Sequence, residues 1–408
     1  MKFGVWILGL FSPLVLAAEH QVSGVIDVRA SYTDGIQSYV DGGLGKFRFN
    51  PDGQLSLAQA GFSYKIDWDN PLSAHVVANA YWDGVRDSIG ITEAYLKYKG
   101  LPWDNGLRLG GKFGIIYPEI SMENIATAWS SPYTLTYSGI NSWLGEEVRH
   151  IGAQVSLDHL GKFRGSRHDF NLTVEFFQNN DTTGAMLAWH GWTNSSRQTL
   201  WQETLPLSSL PSLDGGSLGS QAKESDPFLE LDDRIGYHVK TQWRMQGLGR
   251  LEVGYYDNDA DTRVVKKGQY AWLTQFIHIG TKWRLPYDLE LIAQYMKGDT
   301  LMQSPDGRNI VDNGYDSAYI LLSHRWKKHR LSARIEDFSV VDNDLTFDDD
   351  NSEQGQAMTV SYSYQLRKGW FLQAEYNRID SIRAARAEQG HPADLVEQQW
   401  QLASRYYF

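Results

Sequence analysis

Seven histidines, set among many serines and acidic residues, are the residues of this chain best suited to catalysis. They are His150, His159, His168, His190, His238, His278 and His324. Nucleophilic catalysis needs a serine within hydrogen-bonding distance of a base such as histidine. No segment has the spacing of a nucleophile elbow, a His-Glu-x-x-His helix or a phosphate-binding loop. We therefore expect no catalytic residues, no metal and no cofactor. A hydrolase remains an alternative, which a Ser–His pair on neighbouring strands would favour.

Charged side chains recur at every second position in many segments, where they are suited to binding or steering ions. The main candidates are Arg29, Lys97, Arg108, Lys112, Arg234, Lys240, Lys282 and Arg334, together with Glu119 and Glu123. Basic residues outnumber acidic ones on these polar faces, and rings of one charge sign set ion preference in pores. The excess favours anions. A slip of one residue in strand register would exchange the faces, so a mixed-charge surface with little selectivity fits equally well.

The elements that carry these charges are β-strands, because the dominant hydrophobic period is two. In residues 22–32, Val22, Ile26 and Val28 share one face, and Asp27 and Arg29 share the other. Residues 107–115 repeat the pattern, with apolar residues on one face and Arg108 and Lys112 on the other. A soluble sandwich would show the same alternation, so the connections between strands must decide.

Short and long connections alternate along the chain. Short turns are predicted at 69–71, 101–106, 158–169, 246–249, 285–288, 327–329 and 367–369, and long loops at 33–53, 83–88, 117–146, 180–229, 257–268, 298–313, 341–355 and 380–394. This arrangement is typical of outer-membrane barrels. It predicts an all-β, transmembrane, antiparallel up-and-down barrel of about sixteen strands, with short periplasmic turns and long external loops. The predicted strands are 22–32, 54–67, 72–82, 89–99, 106–116, 147–157, 169–179, 231–245, 249–256, 269–284, 288–297, 314–326, 330–340, 356–366, 370–379 and 396–408.

The ends of the chain and its composition agree with export. Residues 1–18 have the layout of a signal peptide, with Lys2, an apolar run and the small residues Ala17 and Ala18. The barrel is then expected over 19–408. The sequence contains no cysteine, which excludes disulfides and thiolate sites. Its net charge of −11 means that the chain as a whole lacks the positive charge that nucleic-acid binding requires.

The C-terminal segment gives the most specific local signal. Trp400, Leu402, Tyr406 and the terminal Phe408 alternate with polar residues. This end resembles the closing strand of Gram-negative outer-membrane proteins, in which it is read by the barrel assembly machinery. The resemblance implies that Tyr406 and Phe408 serve as an assembly signal.

The whole mature chain resembles Gram-negative porins in architecture. Gly110-Gly-Lys-Phe113, Trp129-Ser-Ser-Pro132 and Asn141-Ser-Trp143 are similar to segments of the phosphate-selective O/P type. General porins carry Pro-Glu-Phe-Gly-Gly where this chain has Pro118-Glu119-Ile120, so no particular solute is implied. The resemblance implies a homotrimer in contact with outer-membrane lipid and lipopolysaccharide, and passive diffusion of small hydrophilic solutes or ions. The alternatives are a channel specific for an anion, sugar or organic acid, and a plugged barrel acting as an adhesin, scaffold or hydrolase.

Two long loops decide between these functions. Loop 117–146 is rich in apolar residues, which predicts that it folds inward against the wall, with a fold over the rim as the alternative. Loop 180–229 is too long to be structureless, and we expect a lid, a plug or a latch between subunits. The aspartates at 257–261 and 348–350 suit a divalent cation, but a solvated acidic loop explains them better.

Overall fold

The computed structural model describes residues 18–84 and 86–408. Within these residues, sixteen strands form one closed antiparallel barrel, which confirms the predicted fold. Their bounds are β1 Ala18–Asp34, β2 Asp52–Trp68, β3 Leu72–Trp82, β4 Ser88–Lys99, β5 Leu107–Ile116, β6 His150–His159, β7 His168–Gln178, β8 Gly236–Met245, β9 Gly249–Asp257, β10 Leu273–Leu285, β11 Leu289–Gln303, β12 Asn309–Trp326, β13 His329–Asp342, β14 Glu353–Arg367, β15 Trp370–Arg383 and β16 Asp394–Tyr407. Ala18 opens β1, and the rest of the predicted signal peptide lies outside the described residues.

Each strand pairs with its sequence neighbours, and β1 pairs with β16 to close the barrel. Phe408 extends this closure beyond β16. Gly24 N–H donates to the Phe408 carbonyl at 3.1 Å, and Phe408 N–H donates to the Gly24 carbonyl at 3.2 Å. A Cβ at Gly24 would lie 2.3 Å from the Phe408 ring, so the closing contact requires glycine.

Alternation divides each strand into an inward polar face and an outward apolar face. Asp27 and Arg29 are at most 1% exposed, whereas the intervening Ile26 and Val28 are 43% and 38% exposed. An apolar outer surface is what lipid requires. Aromatic residues at or near the ends of strands are also exposed, among them Trp82, Trp103, Tyr287, Trp326, Trp370, Tyr406 and Phe408.

No helix among the described residues is long and apolar enough to cross a bilayer. The two α-helices are α1, Gly139–Glu147, and α2, Ala185–His190. Both lie in loops and are fully buried.

The predicted loop 298–313 is wrong in extent. Strand β11 continues to Gln303 and β12 begins at Asn309, which leaves a loop of 304–308. Met302 and Val311 point inward and pack in an apolar cluster with α2. These strands extend beyond the apolar outer surface that faces lipid. Their outward residues there are polar, so the sequence resembles that of a loop. Three other strands begin a few residues later than predicted, with β6 beginning at His150, after α1.

Two loops fold into the barrel. We call residues 117–149 L3 and residues 179–235 L4. Apolar side chains of L3 and L4 pack with inward residues of β10 to β15 in one buried cluster, which includes Ile120, Met122, Trp143, Leu187, Trp192, Met296, Tyr319 and Phe338. L3 therefore folds inward as its apolar content predicted, and L4 packs against it.

Candidate channel interior

A cavity of about 730 Å³ lies inside the barrel, bounded on one side by L3. It reaches residues next to the short turns, such as Lys99, Leu160 and Arg244. Its lining includes seven Lys or Arg side chains and five Asp or Glu side chains. Volumes of this size accommodate small molecules, so a polar space with a small basic excess lies on the periplasmic side of L3.

Glu119 of L3 lies between basic residues of β5 and β8. Its side chain forms an ion pair with Lys112 of β5. Lys240 of β8 donates to the Glu119 carbonyl at 2.5 Å and lies 3.9 Å from its carboxylate. The positive charge of Lys112 holds the pKa of the Glu119 carboxyl well below its usual range. Glu119 is therefore ionised at neutral pH.

Lys97 of β4 faces the same space. It stands directly opposite Lys112 in the strand register and also lines the cavity. Nearer the short turns, Arg108 pairs with Asp158 at 2.7 Å. Lys97, Arg108, Lys112, Lys240 and Glu119 thus come together around one cavity.

Beyond Glu119, L3 crosses the lumen to the far wall. Gln294 of β11 accepts from Met122 N–H at 2.9 Å and donates to the Ile120 carbonyl at 3.1 Å. Glu123 then pairs with Arg334 of β13 at 3.0 Å, and both side chains are fully buried. Arg334 also pairs with Glu336 at 2.8 Å and donates to the Tyr137 carbonyl at 2.8 Å. Glu123 and Arg334 therefore anchor L3 and do not line the cavity.

The tip of L3 returns to the part of the barrel wall that β1 and β16 form. Arg405 donates to the Ser131 carbonyl at 2.8 Å and pairs with Asp27, which also binds Arg29, each pair at 2.7 Å. Lys282 of β10 donates to the Tyr133 hydroxyl at 2.5 Å. Arg29 is buried in a structural ion network, and Lys282 supports L3.

Arg234 lies elsewhere than expected. It precedes β8 in L4, its side chain is 46% exposed, and it pairs with Asp261 of the next loop at 3.3 Å. The predicted strand 231–245 began too early, because the polar segment before Gly236 is a turn in which Asp233 has a φ of 62°. Arg234 is therefore a surface residue of the external loops.

L4 forms a second layer over L3. Tyr137 N–H donates to the Ser195 carbonyl at 2.8 Å, and Thr199 N–H donates to the Gly145 carbonyl at 3.0 Å. Glu147 joins α1 to α2 by accepting from Met186 N–H at 3.0 Å. Burial raises the pKa of Glu147 to about 7.

Buried ion pairs fix this second layer to the barrel. Arg48 pairs with Asp83 at 2.7 Å, and Arg197 of L4 lies 3.5 Å from the same carboxylate. Lys46 and Arg383 both pair with Glu353 at the start of β14. Lys46 also donates to the His190 carbonyl of L4 at 2.9 Å, and Arg383 donates to the Ala188 carbonyl of L4 at 2.7 Å. Breaking such pairs singly is strongly destabilising, so both layers are firmly held.

A chain of buried polar groups on the wall was not predicted. His150 bonds to Glu175 at 2.8 Å, Glu175 lies 3.6 Å from His238, and the Nε2 atoms of His238 and His278 are 2.9 Å apart. These four side chains come from four strands. The only sequence signal is a histidine on a polar strand face, and the register that joins them is not visible in the sequence.

One Ser–His pair lies on neighbouring strands at the cavity wall. Ser63 Oγ of β2 is 2.7 Å from His75 Nε2 of β3, and His75 Nδ1 is 2.7 Å from the Tyr95 hydroxyl of β4. All three residues line the cavity. This is the geometry that we named as favouring a hydrolase, although tyrosine stands where a catalytic triad has a carboxylate.

Comparison with solved structures finds the same fold in outer-membrane proteins. The outer-membrane channel DcaP of Acinetobacter baumannii aligns with a TM-score of 0.58 at 12% identity, covering 96% of this chain and 97% of that one. The in-vitro folded, trimer form of OmpT from Vibrio cholerae aligns at 0.55 with 10% identity, covering 96% and 100%. An anion-selective porin from Comamonas acidovorans aligns at 0.52 with 10% identity, covering 96% and 100%.

The sequence matches no protein-family model, and a search of curated proteins finds no match. The barrel is therefore of the outer-membrane porin type in fold, and its function has to be argued from its own interior.

Proposed function

We propose that this protein is an outer-membrane channel for passive diffusion of small hydrophilic solutes, with a preference for anions. The observation that carries the proposal is the polar cavity of about 730 Å³ inside a lipid-facing barrel, narrowed by the inward fold of L3. Sixteen strands are enough to enclose an aqueous lumen. Its structural neighbours include an outer-membrane channel and an anion-selective porin, which agrees with this role.

The preference for anions rests on the cavity lining. Lys97 and Lys112 stand side by side, and basic side chains exceed acidic ones. Phosphate and small carboxylates both belong to this class. Sugars remain an alternative, because hydroxyl, amide and tyrosine groups also line the cavity.

Liposome swelling tests the proposal. Proteoliposomes should swell in isosmotic salts of small organic anions faster than in neutral sugars of the same size. Protein-free liposomes provide the control for leakage. A barrel that is folded, as judged by its heat-modifiable mobility, but gives no swelling with any solute would exclude an open channel.

A plugged barrel is a second candidate, and the two-layer packing of L3 and L4 favours it. Trp189, Trp192 and Arg197 of L4 are all at most 6% exposed. For a plugged barrel, swelling should be absent in the wild-type protein and appear when L4 is shortened. For a channel, shortening L4 should only increase a rate that already exists.

A hydrolase is a third candidate, which rests on Ser63 and His75. With Tyr95 holding Nδ1, the Nε2 atom of His75 is placed to accept the Ser63 proton. A fluorophosphonate probe should then label wild-type protein and not the Ser63→Ala variant. The exposed Ser220→Ala variant is the matched control. Absence of labelling in all three would leave Ser63 as a wall residue.

We further propose that the chain forms homotrimers in contact with lipopolysaccharide and that Phe408 and Tyr406 guide its assembly. The trimer form of OmpT has the same fold. Native mass spectrometry from mild detergent should show three copies. A monomer under conditions that preserve the folded barrel would contradict the trimer.

A further inference from the structure

We infer that Lys97 and Lys112 form a binding site for the carboxylate of a small organic acid. The side-chain carboxylate of Glu119 of L3 occupies this site when no solute is bound. The inference rests on the proposed channel function and names its preferred solute class. It arises from three observations on the cavity wall.

The first observation is a pair of like charges on adjacent strands. Lys97 and Lys112 face each other directly across β4 and β5, an arrangement that is unfavourable unless an anion shares it. Among the described residues, Lys97 has no hydrogen-bond or ion-pair partner of its own. The pair therefore has capacity for a further negative group.

The second observation is the carboxylate already present. The Glu119 side chain pairs with Lys112, yet it is 56% exposed to the cavity. Lys240 holds the backbone carbonyl of the same residue, so the segment is fixed independently of its carboxylate. A solute carboxylate can replace the side chain without moving the loop.

The third observation concerns the other acidic groups nearby. Glu252 accepts a hydrogen bond from Gln242 at 3.1 Å, lies 4.0 Å from Lys240 and is buried. Glu93 of β4 is half-buried near Lys112. Neither is exposed as Glu119 is, so Glu119 is the carboxylate that a solute displaces.

Apolar and aromatic groups complete the site. Tyr95 lies under the Lys112 ammonium, with the nitrogen 5.0 Å from the ring centre. Ile125 of L3 is 48% exposed and lines the same cavity. A carboxylate with a short carbon skeleton satisfies both the lysines and these surfaces.

Titration calorimetry of the detergent-solubilised protein tests the site without requiring conductance. The probes are succinate and acetate, with phosphate as the competing anion and glucose as the neutral control. We expect the Glu119→Gln variant to bind succinate about tenfold more tightly than wild type, since one charge-assisted competitor is removed. Lys97→Met and Lys112→Met should each lose binding, whereas the outward-facing Lys297→Met should bind as wild type does.

Equal affinity in wild type and Glu119→Gln, or unchanged binding in Lys97→Met, would overturn the inference. Tighter binding of phosphate than of succinate with the same mutational pattern would overturn the carboxylate class. Folding of every variant is checked by heat-modifiable mobility. If the variants bind in this pattern but the barrel passes no solute, the channel function is refuted and the binding site stands. If the barrel conducts but binds no succinate, the binding site is refuted and the channel function stands.

Discussion

Single buried charges determine how L3 is held inside the barrel. Arg334 is fully buried and contacts two carboxylates, Glu123 and Glu336. We expect Arg334→Met to lower the free energy of unfolding by about 3–5 kcal/mol, because two buried carboxylates lose their partner. Urea titration of refolded protein in detergent measures this. The exposed Arg325→Met is the control, and an equal effect of both substitutions would contradict the anchoring role.

Glu147 gives a prediction of pH dependence at the same scale. Its pKa is raised to about 7 in the folded protein because it is buried beside Glu146, so between about pH 4.5 and 7 the folded state binds more protons than the unfolded state. Stability should therefore fall as pH rises through this window, by up to about 1.4 kcal/mol per pH unit from this group. Glu147→Gln should flatten the urea-midpoint profile there, and the exposed Glu388→Gln should not. A profile unchanged by Glu147→Gln would refute the assignment.

The inward direction of single residues could be predicted, but their partners could not. Period-two alternation places Arg29, Lys97 and Lys112 on polar faces, and each lies there. The partner of Arg334 is Glu123, more than two hundred residues earlier. Contacts of this kind depend on the path of a loop, which leaves no local periodicity. Arg234 was placed wrongly for a related reason. The sequence of the polar turn before β8 cannot be distinguished from that of a polar strand.

At the level of elements, the tip of L3 packs against the wall at a position that has no side chain. Ala128 of L3 lies against Gly61 of β2, and a Cβ at Gly61 would lie 2.4 Å from that of Ala128. Gln59 fixes the tip by donating to the Ala128 carbonyl at 2.9 Å. The apolar content of L3 predicted its inward fold, but this docking point is a property of two separate elements.

Gly61→Val should displace the tip of L3 and change the channel. We expect faster protease cleavage within L3 and altered single-channel conductance. Gly53→Val is the matched control, because the nearest atom to a Cβ at Gly53 is 3.9 Å away on the same strand pair. Cleavage and conductance identical to wild type in Gly61→Val would show that the tip does not depend on this contact.

At the scale of the whole molecule, Phe408 extends the strand pairing that closes the barrel. Phe408 exchanges two backbone hydrogen bonds with Gly24, and its ring fills the space that a Cβ would need. We expect Gly24→Val to reduce the heat-modifiable, folded fraction, while Gly53→Val leaves it unchanged. A normal folded fraction in Gly24→Val would contradict this role in closure.

The number of strands and the alternation of short turns with long loops could be predicted, because hydrophobic alternation and turn length are local properties of the sequence. The two-layer packing of L3 and L4 could not be predicted, since L4 contains polar residues whose partners are in L3 and the wall. Asn194, for example, is buried between the Tyr137 carbonyl and Glu336. The sequence therefore predicted a barrel with long loops and left open how far they fill it.

Single-channel conductance of the refolded protein in a planar bilayer under a salt gradient distinguishes an open, anion-preferring channel from a plugged barrel. The structure predicts discrete open steps and a reversal potential whose sign indicates anion preference, because basic side chains predominate around the cavity. Lys112→Gln should reduce that preference, and Lys297→Gln, which faces outward, should not. A folded barrel that shows no conductance steps in repeated insertions would contradict the channel and favour the plugged barrel.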